Sequence, residues 1–292
     1  MGNLMELGEL YKDLRLARKV KLKDVANEHI SISQLSKFEN GQSMLSADKL
    51  FAAISGIQMS FAEFGHAFNN YEQRDFFKLS QKTGLLRSQQ DIAGLKRLLE
   101  DYCQEKDRPL LYDQLNQLVI KESIYSLDKD FSIPQEEVDQ LTTYLYDIEE
   151  WTEYELYLFA NTLSLLSDRD LIFLGKTFVE RDKLYHALPS HQNTAKMTFL
   201  NLIMALIERG LFEQVDYFTK ILEASLTFQD MFVASSLNFL KLLVDYVQDA
   251  NEEKLRTLQD YIQKVEEIGN PILAQHLRLS LEQFINQEVE EK

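Results

Sequence analysis

Residues 31–43 read SISQLSKFENGQS, and they hold a helix start, a short two-faced helix and a glycine stop. Ser31 is a good N-cap residue, and Gln34, three positions on, is placed to close a capping box. Leu35 and Phe38 then fall on one side of the helix, while Ser33, Gln34 and Lys37 fall largely on the other. Gly41, after Asn40, can take the left-handed conformation that ends a helix. A short segment at about 22–28 precedes this one across a turn at Ile30–Ser31. Helix, tight turn and capped helix together predict a helix-turn-helix.

Working outward, residues 6–69 divide into five short helices at about 6–18, 22–28, 32–40, 46–55 and 60–68. Leu7, Leu10, Leu14 and Ala17 recur at helical spacing and predict one buried stripe on the first. Leu22, Val25 and Ala26 bring the second to the same core. A recognition helix of this kind reaches base edges from its exposed side: Gln pairs with adenine, Lys donates to guanine, Ser serves base or backbone. Ser33, Gln34 and Lys37 are therefore the candidate base readers. Lys12, Arg15 and Lys23, on the flanking helices, are candidates for phosphate contacts that set the register. The plainer alternative is a polar surface helix in which Gln34 only caps.

The formal charge of −16 argues against nucleic acid until its distribution is seen. Residues 1–66 hold 8 Lys/Arg and 8 Asp/Glu; the other 23 and 39 lie in residues 67–292. Within residues 12–23 six cations face one acid, Asp13. Screening over about 8–10 Å insulates such a patch from distant acids.

A length of 292 residues and 45% apolar residues predict two packed domains, at 1–69 and 70–292. Ten Gly and four Pro are too few for a strand-rich chain and favour an all-α fold with short connections. The single cysteine, Cys103, fits a reducing cytoplasm and reads as a small, half-buried residue. The start, MGNLMELGEL, lacks a signal peptide's basic and apolar regions, and no apolar run nears the roughly 18 residues of a membrane span. Enzyme motifs are missing as well: no GxSxG, no GxxxxGK[ST], no GxGxxG, and no His or Cys at metal-binding spacing. No cofactor and no metal are expected. His186 and His191 flank Pro189 in an expected loop. Trp151, Tyr154, Tyr157 and Phe159 read as helix-packing aromatics.

Residues 70–150 are expected to be helical, including about 88–106, 109–126 and 134–149, with Pro109 and Pro134 in first helical turns. Beyond 150 the pattern repeats. Helix pairs fall at about 153–167 with 170–184, 194–208 with 212–224, and 229–248 with 252–268; a last helix starts at Pro271. Their starts are about 35–41 residues apart, close to the tetratricopeptide period, although the W-x-x-L-G-x-x-Y signature is absent. Such pairs stack into a superhelix with a concave face that can hold an extended peptide. The first helix of each pair carries an asparagine, Asn161, Asn201 and Asn238, at intervals of 40 and 37 residues. An asparagine amide offers both a donor and an acceptor, matching a peptide group. The row either binds peptide backbone or bonds neighbouring helices.

With these pieces in view, the chain resembles the Rgg family of transcriptional regulators. LGELYKDLR (7–15), SISQLSKFENG (31–41) and above all DIEEWTEYELYLFANTL (147–163) carry the resemblance, which spans nearly the whole chain. It implies a cytoplasmic homodimer that binds double-stranded promoter DNA through paired N-terminal domains. It also implies a short, hydrophobic, secreted and re-imported signalling peptide on the concave face, as in quorum sensing. The family pattern places Arg15 at the DNA backbone, Ser33, Gln34 and Lys37 on the recognition helix, and Asn161, Asn201 and Asn238 as peptide-backbone clamps. Some relatives crosslink their DNA-binding domains through a cysteine just after the recognition helix; here that stretch, QSMLSADKL, has none. Two other readings stay open: a repeat-domain adaptor for a protein partner, and a dimeric repressor that needs no ligand.

Overall fold

The computed structural model describes residues 4–104, 110–181 and 188–290, so Pro109 and His186 lie outside the described residues. Those residues form sixteen α-helices and one 3-10 turn, with no strand among them. The contacts divide the chain into two units, Met1–Lys78 and Leu79–Lys292, a division inside a helix rather than at 69/70.

The first unit contains α1 (Leu4–Ala17), α2 (Leu22–Val25), α3 (Ile32–Glu39), α4 (Ala47–Gly56) and α5 (Phe61–Phe68). These are the five helices that the apolar spacing predicts. They enclose Tyr11, Val25, Ile30, Leu35, Phe38, Ile54, Ile57 and Phe64, with Leu7, Leu10 and Leu14 half-buried around them. The stripe on α1 differs in one place. Ala17 is exposed, and the deepest position is Tyr11, whose hydroxyl donates to the Ala53 carbonyl at 3.1 Å. α1 and α3 cross at Gly8, where a Cβ would stand 1.9 Å from the Phe38 carbonyl oxygen.

The helix α6 (Asp75–Ser88) spans the division between the units. The second unit continues with α7 (Ile92–Gln104), α8 (Leu111–Leu127), α9 (Gln135–Asp147), α10 (Glu153–Ala160), α11 (Asp168–Arg181), α12 (Pro189–Glu208), α13 (Phe212–Ser225), α14 (Met231–Gln248), α15 (Glu252–Glu267) and α16 (Pro271–Glu290). α10 is half the expected length. It begins at a capping box, with Thr152 N donating to Glu155 Oε2 at 2.8 Å, and Asn161 ends it. The chain then makes a 3-10 turn at Leu163–Leu165. α12 starts earlier than the spacing suggests, because Pro189 is compatible with a first helical turn. His191 is therefore not in a loop: it sits in α12 and is 1% exposed.

In the second unit α7 packs on α8, α12 on α13, α14 on α15 and α15 on α16, and the first helices of successive pairs, α10, α12 and α14, pack on one another. The second helices α11 and α13 meet much less, so the stack curves with the first helices inside. Trp151, Phe159, Phe178, Phe199 and Phe218 form a chain of ring contacts 4.8–6.4 Å apart through its core. A buried ion pair, Lys196 Nζ to Asp230 Oδ1 at 2.8 Å, ties α12 to the start of α14. The lysine and two bonds from Thr227 hold the Asp230 pKa down at about 2. Cys103 lies exposed on α7 rather than half-buried.

Candidate DNA-reading helix and peptide-facing row

α3 is defined at both ends by local chemistry. At its start the Gln34 N–H donates to Ser31 Oγ at 3.2 Å, and the Ser31 N–H donates to Gln34 Oε1 at 3.1 Å. At its end Gly41 has φ +65°, and the N–H groups of Gly41 and Gln42 donate to the carbonyls of Phe38 and Lys37. That pair of bonds is the Schellman arrangement. Leu35 and Phe38 are 0% and 1% exposed, so the opposite side of α3 must face outward. Ser33 and Lys37 lie on that side, both exposed. Gln34 is half-buried and its carbonyl oxygen is engaged in the cap. Bidentate pairing with adenine needs that oxygen, so Gln34 can read a base in this way only by giving up the cap.

Of the flanking cations, Lys23 is exposed on α2 and Lys12 is half-buried on α1. Arg15 is a correction. It is 6% exposed, and all three of its guanidinium nitrogens are engaged within the protein. Nε and Nη2 donate to the two oxygens of Glu39 at 2.6 and 2.7 Å, and Nη1 donates to the Val20 carbonyl at 2.6 Å. Three of its five N–H donors are held inside the protein and the side chain is almost closed to solvent, so the guanidinium is not presented to a phosphate. Its work is to fasten α1 to the last turn of α3.

The three asparagines do not occupy equivalent places. Asn161 is not in mid-helix: it is the C-cap of α10, and its Nδ2 donates to the Tyr157 carbonyl at 2.7 Å. Asn201 is exposed on α12, with Nδ2 3.4 Å from the Ala160 carbonyl, which brings it beside Asn161. Asn238 is exposed on α14, near the Tyr261 hydroxyl, which donates to the Ser235 carbonyl at 2.8 Å. Asn201 belongs to an open stripe on α12 with Asn193, Met197, Met204 and Glu208. Asn238 belongs to a matching stripe on α14 with Ala234, Lys241 and Asp245.

Residues 96–279 match the family model of the C-terminal domain of the HTH-type transcriptional regulator Rgg. The chain belongs to the Rgg family. This is a family of transcriptional regulators, not of enzymes. Two solved structures share its fold over nearly the full length. One is Rgg2, a SHP pheromone receptor from Streptococcus dysgalactiae, with 22% identity, 93% of this chain and 97% of that chain covered, and a TM-score of 0.75. The other is a protein from Listeria monocytogenes EGD-e, with 19% identity, coverage of 98% and 99%, and a TM-score of 0.78. The PrgX/iCF10 complex is similar at 14% identity, coverage of 97% of both chains and a TM-score of 0.67.

Within this Rgg chain one polar group has no counterpart among the residues that the sequence singles out. Glu122 lies on α8 in the apolar run LVIKESI, and its residue is 5% exposed. Ser164 Oγ donates to Oε1 at 2.8 Å, whereas Oε2 is buried with no hydrogen-bond partner and stands 3.9 Å from Arg87 Nη1. Burial raises the carboxyl pKa, and Arg87, Ser164 and Lys129 offset this only in part. Glu208, at the end of the open stripe on α12, lies near the same charges; it touches solvent, yet the surrounding protein raises its pKa too. The available signal was a carboxylate at a core position of a helical apolar pattern. Among the described residues no helix is long and apolar enough to cross a membrane, and no cluster of His, Cys, Asp and Glu could hold a metal ion.

Proposed function

We propose that this Rgg-family regulator reads promoter DNA with α3 and is controlled by a short apolar peptide held along α10, α12 and α14. The observation that carries the DNA half is the two-sidedness of α3: Leu35 and Phe38 are sealed inside while Ser33 and Lys37 stand on the open side. Lys37 is the principal base reader in this proposal, with Ser33 beside it and Gln34 capping. Lys12 and Lys23 serve as the phosphate contacts. A second protomer supplies the paired reading helix that a two-half-site operator requires.

The peptide half rests on Asn201 and Asn238, exposed at corresponding places on adjacent inner helices, with Asn161 beside Asn201. Amides on neighbouring inner helices match the alternating donors and acceptors of an extended chain. One of the similar structures, Rgg2, is a SHP pheromone receptor. A cytoplasmic regulator is the consistent setting for both binding events.

Fluorescence anisotropy with upstream DNA of the chain's own locus tests the DNA half. The Lys37→Ala variant is expected to lose discrimination at particular base pairs, by about 1–3 kcal/mol each. Equal loss on every operator variant would remove Lys37 from the base readers. Titration with short apolar peptides translated from the chain's own locus tests the other half, where Asn201→Ala should weaken binding and leave the thermal melt unchanged. Undiminished affinity would assign the asparagines to helix packing.

A further inference from the structure

A groove between α8 and α9 belongs to neither of these sites. It encloses about 720 Å3, within the range of roughly 300–1,000 Å3 of ligand-holding clefts. Its floor is apolar, built from Leu111, Leu115, Leu118 and the ring of Tyr144. One wall is acidic: Glu136, Asp139 and Asp147 on α9 line it, and none is ion-paired among the described residues. Glu137, beside them, is neutralised by Lys121 of α8 at 2.5 Å. The apolar surface continues past the groove's end, where Leu110 is 71% and Tyr112 is 55% exposed.

We propose that this groove docks a cationic amphipathic segment of a partner protein, with leucine-like side chains on the floor and Lys or Arg against the α9 carboxylates. Charge complementarity decides among the occupants. DNA and acidic peptides are repelled by the wall. A second copy across a two-fold axis would set the same carboxylates against each other. A basic segment is attracted instead, and the carboxylates steer it and select it while the floor supplies most of the affinity. The proposal is independent of the asparagine row, since the groove lies on α8 and α9.

The test uses the full chain and a fluorescein-labelled amphipathic peptide built only of Leu and Lys. The wild type is expected to bind it saturably. A triple variant, Glu136→Gln, Asp139→Asn and Asp147→Asn, should bind about tenfold more weakly. A control triple variant of the same net charge, Glu252→Gln, Glu253→Gln and Asp260→Asn on α15, should change affinity by less than about twofold. Leu111→Ser should weaken binding in high salt, where only the floor contributes. Equal losses in the two triple variants would reduce the effect to general acidity and overturn the proposal, as would absence of saturable binding. If the groove variant instead changed the sedimentation of the chain alone, the occupant would be a second copy and the proposal would fail.

Discussion

Arg15 shows how a residue's type misleads when its surroundings are unknown. In a cationic run it reads as a phosphate contact, yet its guanidinium is closed off by Glu39 and the Val20 carbonyl. Removing one partner of a buried pair leaves the other charge uncompensated, so Arg15→Ala should destabilise the first unit by about 3–5 kcal/mol. Urea denaturation read in that unit measures this. The salt dependence of DNA binding separates the two roles. A lost phosphate contact would lower the slope of log K against log salt by about 0.9, whereas the folded fraction of Arg15→Ala should keep it. Glu122 carries a prediction of the opposite sign. Its pKa is raised in the folded chain, so the folded state holds the proton to higher pH than the unfolded state. Stability is therefore lost as pH rises through the raised value. Glu122→Gln should be more stable than the wild type near pH 8, by about 1–3 kcal/mol, with the gap closing once the wild-type carboxyl is protonated. A gap independent of pH would show that the carboxyl does not titrate there.

Among the elements, α3 was legible to within one residue because its limits are set by neighbours in sequence: Ser31 with Gln34, and Gly41 after Asn40. α6 has no such marks, and the reason is visible in DFFKLSQKTGLLRS, where only Leu79 and Thr83 are buried. Without a stripe there is no period to read. The end of α10 falls earlier than the pattern implies because apolar residues continue through ANTLSLL while the chain turns; Asn161 satisfies a late carbonyl there. The α1–α3 crossing gives a prediction in which two effects compete. Gly8→Ala gains about 1 kcal/mol of helix propensity. The added methyl must also push the Phe38 carbonyl away from 1.9 Å, and overpacking costs about 1–3 kcal/mol, with backbone the hardest neighbour to move. Net destabilisation is expected by urea denaturation; a stabilised variant would mean that α1 and α3 can separate freely.

Across the whole molecule the charge is unevenly divided, with residues 1–66 neutral on balance and the remainder carrying the acidity. If peptide and promoter bind at separate sites of one protein, their coupling must be reciprocal. The factor by which saturating peptide changes the operator Kd should equal the factor by which saturating operator changes the peptide Kd. Two titrations, each with and without the second ligand, measure both. A factor of one in each would mean that peptide acts on transcription without altering promoter affinity. The amino-acid sequence by itself determined the helical class, the five-helix N-terminal unit, the paired repeats and the exposed side of α3, since helix period, caps and glycine stops act over a few residues. Only the tertiary structure decided that Arg15 is a clamp, that Asn161 is a cap and that Glu122 is enclosed without a full set of partners. Each of those outcomes depends on residues that are distant in sequence or on where the chain turns, and the field and solvent a side chain meets are properties of the packed molecule rather than of its neighbours in the chain.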